Sequence, residues 1–513
     1  MLTKTFGSAV YGVEALTITV EVHVTNGQKF YLVGLPDNAV KESAQRIESA
    51  LKSTGYYMPR TKVIINLAPA DIKKTGTAFD LPIAMALLGA SEQIPNADRL
   101  SEYVIMGELS LDGHILPIKG ALPIAITARK EQFKGLIVPV QNCREAGIVN
   151  NLKVYGVSHI TEVIEFFKDE NSLQPVSIDT KDEFYRSQYN FEYDFSDVKG
   201  QENIKRALEI AAAGGHNVIL IGPPGAGKTM LAKRLPSILP PLSLQEALET
   251  TKIHSVAGKV PSNTTLISQR PFRSPHHTIS DAALVGGGGV PQPGEISLSH
   301  NGVLFLDELP EFKRTVLEVM RQPMEERRVT ISRAKVAIDF PASFMLIASM
   351  NPCPCGFYNH PEKECTCPAG AVQKYLNKVS GPLLDRIDLH VEVTPVPFSA
   401  LATHKTGETS ASIRERVIKA RDIQSNRYAD HDGIYCNAQI GSSMLKKICD
   451  IDGAGQSLLK NAMNKLNLSA RAYDRILKVS RTIADLAGSD PIRTEHLAEA
   501  IQYRSLDREG WAG

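Results

Sequence analysis

A glycine-rich segment near the middle of the chain has the residue types and spacing needed to hold a nucleoside triphosphate. It runs from Gly222 to Thr229 and fits the pattern G-x-x-x-x-G-K-[ST]. In such a P-loop the backbone N–H groups surround phosphate oxygens, Lys228 reaches the β- and γ-phosphates, and the Thr229 hydroxyl binds Mg²⁺. The residues predicted to contact the nucleotide here are Gly222, Pro223, Pro224, Gly225, Ala226, Gly227, Lys228, Thr229 and Met230.

A second segment supplies two acids of the kind that ATP hydrolysis needs. The apolar run Gly302-Val-Leu-Phe-Leu predicts a buried strand that ends in Asp307 and Glu308. Asp307 can hold Mg²⁺ through water, and Glu308 can polarise the attacking water. A surface strand can also end in acids, but the P-loop elsewhere in the chain favours the catalytic interpretation.

Three further polar residues are candidates for contact with the γ-phosphate. Asn351 ends an apolar strand and would point at the γ-phosphate or its water, although asparagine also commonly caps strands. Arg386, within Leu-Leu-Asp-Arg-Ile-Asp, is either part of a local ion pair or an arginine finger for the ATP of a neighbouring subunit. Arg471, at the head of a helical pattern that begins at Ser469, is a second phosphate-sensing candidate.

A cluster of four cysteines begins two residues after Asn351 and has the donor set of a metal site. Its spacing is C-x-C-x₉-C-x-C, and its members are Cys353, Cys355, Cys365 and Cys367. We favour structural Zn²⁺, which four thiolates bind tetrahedrally, over a loop of free thiols or an Fe–S or redox centre. His360 is a spare candidate ligand, or simply an exposed side chain.

The elements that position these residues follow from the apolar patterns. Residues 1–168 alternate strands with helices, including one helix predicted from Asp37 to Thr54, so this block is α/β or α+β. Residues 169–192 are polar and aperiodic, which predicts a linker. Residues 193–396 carry the P-loop and the acidic strand, and residues 397–513 are mostly helical.

Composition limits the possible partners and compartments. The 513-residue chain has a formal net charge of +1, so any nucleic-acid surface must be local. Two local basic runs, 269–277 and 327–335, could follow DNA phosphates along a pore, or could be solvated or paired surfaces. We find no signal-peptide pattern and no apolar stretch that could span a bilayer, so we expect a cytoplasmic protein without membrane contact.

The order of these motifs resembles that of the AAA+ ATPases, in the clade of magnesium-chelatase ATPase subunits and MCM helicases. Before the P-loop, Asp197-Val-Lys-Gly200-Gln201 is similar to that group's adenine-side box. The whole chain resembles the ComM/YifB family of bacterial Mg-chelatase-like ATPases. The resemblance implies a homo-hexameric ring with ATP and Mg²⁺ at subunit interfaces. It also implies a helicase on single-stranded or branched DNA that drives branch migration in recombination, notably of transformed DNA, with recombination proteins as possible partners.

The same resemblance assigns a role to each motif. It implies that Lys228 and Thr229 belong to Walker A and that Asp307 and Glu308 form Walker B. By the same comparison, Asn351 is sensor 1, Arg386 is the finger and Arg471 is sensor 2.

The N-terminal block resembles a Lon-type protease domain that has lost its chemistry. Residues 68–84 are similar to the nucleophile region of that domain, and residues 107–120 to the strand pair that follows it. The serine position holds Ala78, and Lys119 is early in register for the catalytic lysine, so no acyl-enzyme can form. The expected fold is therefore α/β multidomain. It comprises a Lon-protease/S5-like α+β domain, an AAA+ P-loop α/β core and a C-terminal α-helical lid.

Three functions remain open from the sequence. The first is a DNA motor, and the second is a chelatase-type motor that remodels a protein to insert Mg²⁺ into a porphyrin. The third is a chaperone-like regulator that uses ATP only as a switch. The Lon-like block and the cysteines favour the first, because the small chelatase subunits lack both. Glu308 argues against a pure switch, since the hydrolytic residues are complete.

Overall fold

The computed structural model describes residues 1–261, 264–289, 291–333, 336–360, 362–396, 407–431 and 433–504. None of the helices in these ranges has the length and apolar content needed to cross a bilayer. Two large sheets, each with helices packed against it, are followed by a helical region.

The first sheet has seven strands in the order β3-β4-β2-β1-β5-β8-β9. It is antiparallel where β2 meets β1 and β4, and parallel at its other four pairings. The strands are β1 Leu2–Tyr11, β2 Glu14–Thr25, β3 Phe30–Val33, β4 Lys62–Ala68, β5 Tyr103–Ile105, β8 Gly135–Pro139 and β9 Lys153–Val157, with a separate pair β6 Glu108–Leu109 and β7 Ile115–Leu116. The helices are α1 Asn38–Lys41, α2 Ser43–Ser53, α3 Asp80–Ala90, α4 Ala121–Lys130, α5 Cys143–Ala146, α6 Ile160–Lys168 and α7 Thr180–Ser187. This mixed arrangement is the α+β block that the alternating patterns predict.

The segment predicted as an aperiodic linker contains a packed helix. Phe184 of α7 is 1% exposed and joins an apolar cluster with Leu242 of the P-loop region and Leu122 of the N-terminal block. The Gln188 side chain donates to the carbonyl of Leu242 at 2.8 Å. The segment therefore lies against both the N-terminal block and the P-loop region. One buried aromatic ring gives this otherwise polar helix enough apolar contact to pack.

The second sheet has five parallel strands in the order β11-β14-β17-β10-β18. The strands are β10 Val218–Ile221, β11 Phe272–Arg273, β14 Val303–Leu306, β17 Met345–Met350 and β18 Leu389–Glu392. Strands β10, β14 and β17 are buried at every position, as expected for a parallel sheet covered on both faces. The strand that ends at Asn351 thus lies between the P-loop strand and the acidic strand, and all three end at the same edge.

Helices and two hairpins surround this sheet. The helices are α8 Glu202–Gly214, α9 Lys228–Arg234, α10 Leu244–Ala257, α11 Asp281–Val285, α12 Glu295–Leu298, α13 Arg314–Val319, α14 Arg321–Glu326, α15 Ala371–Leu376 and α16 Gly381–Leu384. The hairpins pair β12 Gly286–Gly287 with β13 Gln292–Pro293, and β15 Arg328–Arg333 with β16 Val336–Pro341. The glycine run of residues 286–289 therefore begins in a hairpin strand.

The C-terminal region packs against the second sheet through a buried charge cluster. Its helices are α17 Ser410–Arg427, α18 Ser442–Ile448, α19 Gly453–Leu466, α20 Ala470–Leu486 and α21 Thr494–Gln502. Asp388, 1% exposed and just before β18, forms an ion pair with Arg475 of α20 at 3.0 Å and accepts from the backbone N–H of Asn217 at 2.8 Å. Burial acts to raise the pKa of Asp388, but the charge of Arg475 and the nearby His216 ring, 3.6 Å away, hold this pKa well below its usual range.

Candidate active site

The P-loop joins the end of β10 to the start of α9 and forms one wall of a cleft of about 430 Å³. Gly225 and Gly227 have φ angles of +78° and +85°, in the left-handed region that glycine adopts at little cost. The loop leads directly into α9, and the free backbone N–H groups and dipole at a helix N-terminus favour an anion. The predicted residues that line the cleft are Pro224, Gly225, Ala226, Gly227, Lys228, Thr229, Met230, Asp307, Glu308 and Asn351.

Lys228 is folded onto its own loop. Its Nζ donates to the carbonyls of Gly222 and Pro223 at 2.7 and 2.9 Å, and to the Asn351 Oδ1 at 3.1 Å. Burial lowers the pKa of Lys228, and the charges of Asp307 and Glu308 act against that shift. An anion in the cleft would therefore meet a buried amino group whose present partners are all neutral, so the residues fit a phosphate.

The Thr229 and Asp307 side chains meet at the point where Mg²⁺ is expected. The Thr229 hydroxyl donates to the Asp307 Oδ2 at 2.7 Å, and Ser349 donates to the other carboxylate oxygen. A hydroxyl and a carboxylate are oxygen ligands of the kind Mg²⁺ takes when it also binds phosphates. Sequence reasoning missed Ser349, although its place two residues before Asn351 was a usable signal.

Of the predicted adenine-side residues, Gln201 contacts the P-loop, and it does so from outside the cleft. Gln201 donates to the carbonyls of Ala226 at 2.9 Å and Thr394 at 3.2 Å, and its Oε1 is buried with no partner within the described ranges. Gly200 and Gln201 both have positive φ angles, of 64° and 58°. Both residues begin the turn that leads into α8.

The two predicted arginines lie away from the cleft of their own chain. Arg386 is 13% exposed; it donates to the carbonyl of Pro382 at 2.6 Å and pairs with Glu325 at 2.7 Å. Arg471 is 60% exposed and pairs with Asp385 at 3.4 Å. Neither lines the nucleotide cleft, and Arg386 must act on another subunit if it acts on ATP.

The four cysteine sulfurs converge as a metal site would require. The Sγ atom of Cys353 lies 3.3 Å from that of Cys355 and 3.7 Å from that of Cys365, and all four sulfurs lie within 4.8 Å of one another. A zinc ion with Zn–S bonds of 2.3 Å requires sulfurs ~3.8 Å apart. Directly after Cys355, Gly356 lies so close to the P-loop that an added Cβ would be 2.4 Å from the Pro224 Cδ. His360 is outside this group of four.

The first basic run does not form a free basic surface. Arg270 donates to the carbonyls of Pro240 and Asn301 at 2.7 and 2.8 Å and contacts Glu246, and burial lowers its pKa. Arg273 forms a bidentate ion pair with Glu295, in which its Nε and Nη2 donate to the two carboxylate oxygens at 2.6 and 2.8 Å. Sequence reasoning could not see these acids, because they come from distant parts of the chain.

The second basic run lies along the β15–β16 hairpin. Arg327 donates to the carbonyl of Gly433 at 3.1 Å, and Arg328 is 57% exposed beside Glu326 and Asp339. Lys335 and the side chain of Arg333 lie outside the described residues. The prediction that this run contacts DNA stays a prediction.

The strand order and the cleft are those of an AAA+ ATPase. Three family models match: magnesium chelatase subunit ChlI over residues 194–401, subunit ChlI of Mg-chelatase over 20–142, and the ChlI C-terminal region over 407–504. The chain is 44% identical to the competence protein ComM of Haemophilus influenzae, over 98% of this chain and 97% of that protein. It is 45% identical to YifB of Escherichia coli, over 98% and 96%. The chain belongs to the ComM/YifB family of Mg-chelatase-like AAA+ ATPases, and this membership implies ATP hydrolysis with Mg²⁺.

The N-terminal block also matches a protease. The chain is 32% identical to Lon protease 2 of Bacillus subtilis in a 154-residue alignment that covers 27% of this chain and 26% of that one. The residue at the nucleophile position, Ala78, has no hydroxyl to form an acyl-enzyme. The Lon-like fold is thus present without its nucleophile.

Proposed function

We propose that this chain forms a hexameric, ATP-driven motor on DNA, a helicase that promotes branch migration in homologous recombination and natural transformation. The observation that carries the proposal is similarity along nearly the whole chain to a protein named for competence. In the cleft, Asp307 and Glu308 lie beside the P-loop, and two acids in this position are typical of a site that hydrolyses ATP.

Each residue of the cleft has a separate role in ATP hydrolysis. Lys228 binds the β- and γ-phosphates, while Thr229 and Asp307 would hold Mg²⁺, which would supply positive charge beside the phosphates. Glu308 accepts a proton from the attacking water as the new oxygen–phosphorus bond forms and the bond to the β-phosphate oxygen breaks. Asn351 at the end of β17 orients that water, and Arg386 of a neighbouring subunit stabilises the transferred charge.

The proposal is tested by measuring ATPase rates with no DNA, single-stranded DNA and branched DNA, alongside a three- or four-strand branch-migration assay. We expect DNA to stimulate hydrolysis and hydrolysis to move the strand junction. The Lys228→Ala variant controls for contaminating activity. Hydrolysis that is indifferent to every DNA would contradict the proposal.

A second candidate is a chelatase-type motor that remodels a protein partner. The observation in its favour is that all three matching family models describe magnesium-chelatase subunits. A partner protein that stimulates hydrolysis where DNA does not would identify this function.

We also propose that Arg386 acts as a finger on a neighbour's ATP. Arg386→Ala should lower the hydrolysis rate by about 10³-fold in a uniform ring. Mixing it with Lys228→Ala chains should restore activity, because each Lys228→Ala chain carries an intact finger and each Arg386→Ala chain an intact P-loop.

The alternative is that Arg386 only stabilises its own chain through Glu325. Glu325→Ala removes that partner and leaves the arginine, so it is the matched control. Equal losses in both variants, without recovery on mixing, would show that the ion pair is all that matters.

The cysteine cluster is proposed to hold one structural Zn²⁺. Elemental analysis of freshly purified, reduced protein should find about one zinc per chain, since four thiolates fill a tetrahedral site. Cys365→Ser should lose most of it, whereas Cys143→Ser, at a buried cysteine of the N-terminal block, should retain it. Zinc-free wild-type protein would contradict this site, and iron with sulfide would indicate an Fe–S centre.

A further inference from the structure

The loop that carries the four cysteines contacts the P-loop from outside the nucleotide cleft. Gly356, directly after Cys355, has a φ angle of +85°, in the left-handed region. A Cβ at this position would lie 2.4 Å from the Cδ and 2.9 Å from the Cγ of Pro224. Pro224 lines the nucleotide cleft, whereas Gly356 does not. The backbone of Gly356 therefore packs against the P-loop at a distance that leaves no space for a side chain.

The contact extends along the P-loop beyond Pro224. Gly356 and Tyr358 share the walls of a small cavity, of about 40 Å³, with Gly222 and Pro223. Gly222 and Pro223 are also the residues whose carbonyls accept from the Lys228 Nζ. The cysteine loop thus adjoins the part of the P-loop that positions the phosphate-binding amino group.

The cysteine loop is also joined to the cleft through the chain itself. Asn351, two residues before Cys353, accepts from the Lys228 Nζ at 3.1 Å. Cys353 is fully buried; its carbonyl accepts from the N–H of Gly356 at 3.0 Å, and its sulfur accepts from the N–H of Tyr358 at 3.3 Å. Cys353 therefore fixes the spacing between Asn351 and Gly356, the two points at which this segment contacts the phosphate-binding groups.

A metal at the four sulfurs would restrain this arrangement further. Cys365 lies ten residues after Cys355, yet the sulfurs of Cys353, Cys355, Cys365 and Cys367 lie within 4.8 Å of one another. Metal binding orders a segment whose ligands come from both of its ends, and metal loss removes that order. We propose that Gly356 is a positioning residue for ATP binding, through which metal occupancy of the cysteine site sets the affinity of the P-loop for ATP. The role of the metal rests on the proposed zinc site, whereas the role of Gly356 does not.

Gly356→Ala tests the contact directly, and Gly370→Ala is its matched control. Gly370 follows the last of the four cysteines and has a φ angle of +75°, but a Cβ added there would meet no group within 4 Å in the part of the chain that the structure describes. Gly356→Ala should raise the Kd and the KM for ATP about ten-fold and leave kcat near the wild-type value, because Glu308 is not displaced. Gly370→Ala should leave all three within about two-fold. A variant that is only less stable would instead lose active protein, and its kcat would fall.

A second background separates the contact from backbone strain at position 356. Pro224→Ala removes the Cγ and Cδ atoms that the added Cβ would meet. Gly356→Ala should therefore raise the Kd for ATP about ten-fold in the wild-type background but less than about two-fold in the Pro224→Ala background. An unchanged Kd in Gly356→Ala, or an equal rise in both backgrounds, would overturn the positioning role of Gly356.

Metal removal tests the link to the cysteine site. Zinc content and the Kd for a fluorescent ATP analogue are measured on the same samples before and after a zinc-selective chelator, at constant Mg²⁺. Loss of zinc should raise this Kd about ten-fold in the wild type but change it little in Gly356→Ala, and returning zinc to the wild type should restore it. A wild-type Kd that does not follow zinc content would overturn this link. Wild-type protein that contains no zinc would contradict the metal site itself, and the Pro224→Ala comparison would still decide the role of Gly356.

Discussion

Replacing Lys228 with alanine is expected to abolish ATP binding. The Lys228 amino group is the buried cation of the P-loop, and its present partners are two carbonyls and the Asn351 amide. Without it the phosphates lose a charge-assisted contact in a site from which much water is excluded, and the Kd for ATP should rise by at least about 100-fold. Binding of a fluorescent ATP analogue, followed by titration, measures this change.

Lys233 provides the matched control for that experiment. It lies on the same short helix, α9, but is exposed and outside the nucleotide cleft. Lys233→Ala removes the same charge and should leave the Kd within about two-fold. Near-normal ATP binding by Lys228→Ala would show that the cleft is not the nucleotide site.

Replacing Glu308 with glutamine is expected to stop hydrolysis while ATP stays bound. The amide has nearly the shape of the carboxylate but cannot accept the proton of the attacking water, so the hydrolysis rate should fall by about 10²–10⁴-fold. The phosphate-binding groups at Lys228 and Thr229 remain, and the Kd for ATP should change little. Single-turnover assays with radiolabelled ATP separate the two effects, because they follow bound ATP and product in the same sample.

Glu311 is the control for the loss of one acid in this loop. It lies three residues further on and forms an exposed pair with Lys378. Glu311→Gln should hydrolyse ATP at the wild-type rate. A Glu308→Gln variant that hydrolyses ATP as fast as Glu311→Gln would remove Glu308 from the mechanism.

The parts of the site predicted from sequence are those fixed by short stretches of chain. Apolar runs before the P-loop, before Asp307 and before Asn351 predict buried strands, and each forms because at least four consecutive apolar residues fill a covered sheet. Once these strands lie side by side, their ends must share an edge. The meeting of Lys228, Asp307 and Asn351 is thus a consequence of local pattern plus strand order.

The parts that sequence reasoning missed depend on contacts between distant residues. The helix predicted from Asp37 to Thr54 is two helices, α1 and α2, separated at Glu42. Strand β1 was not predicted, although it pairs with β2 over its full length. Arg270 looks like a surface residue in its own segment, yet Glu246 and two distant carbonyls enclose it. The spacing of local residue types contains no information on such partners.

The buried carboxylate of Asp388 has a mechanical consequence. Separating it from Arg475 would leave an uncompensated charge in the interior, at a cost of about 3–5 kcal/mol. Helix α20 and the loop before β18 must therefore move as one rigid unit. Arg471 lies on the helix, and Arg386 lies in the loop. In the proposed ring, a tilt of the C-terminal helices in response to nucleotide would therefore also shift Arg386, the arginine proposed to contact the ATP of the next subunit.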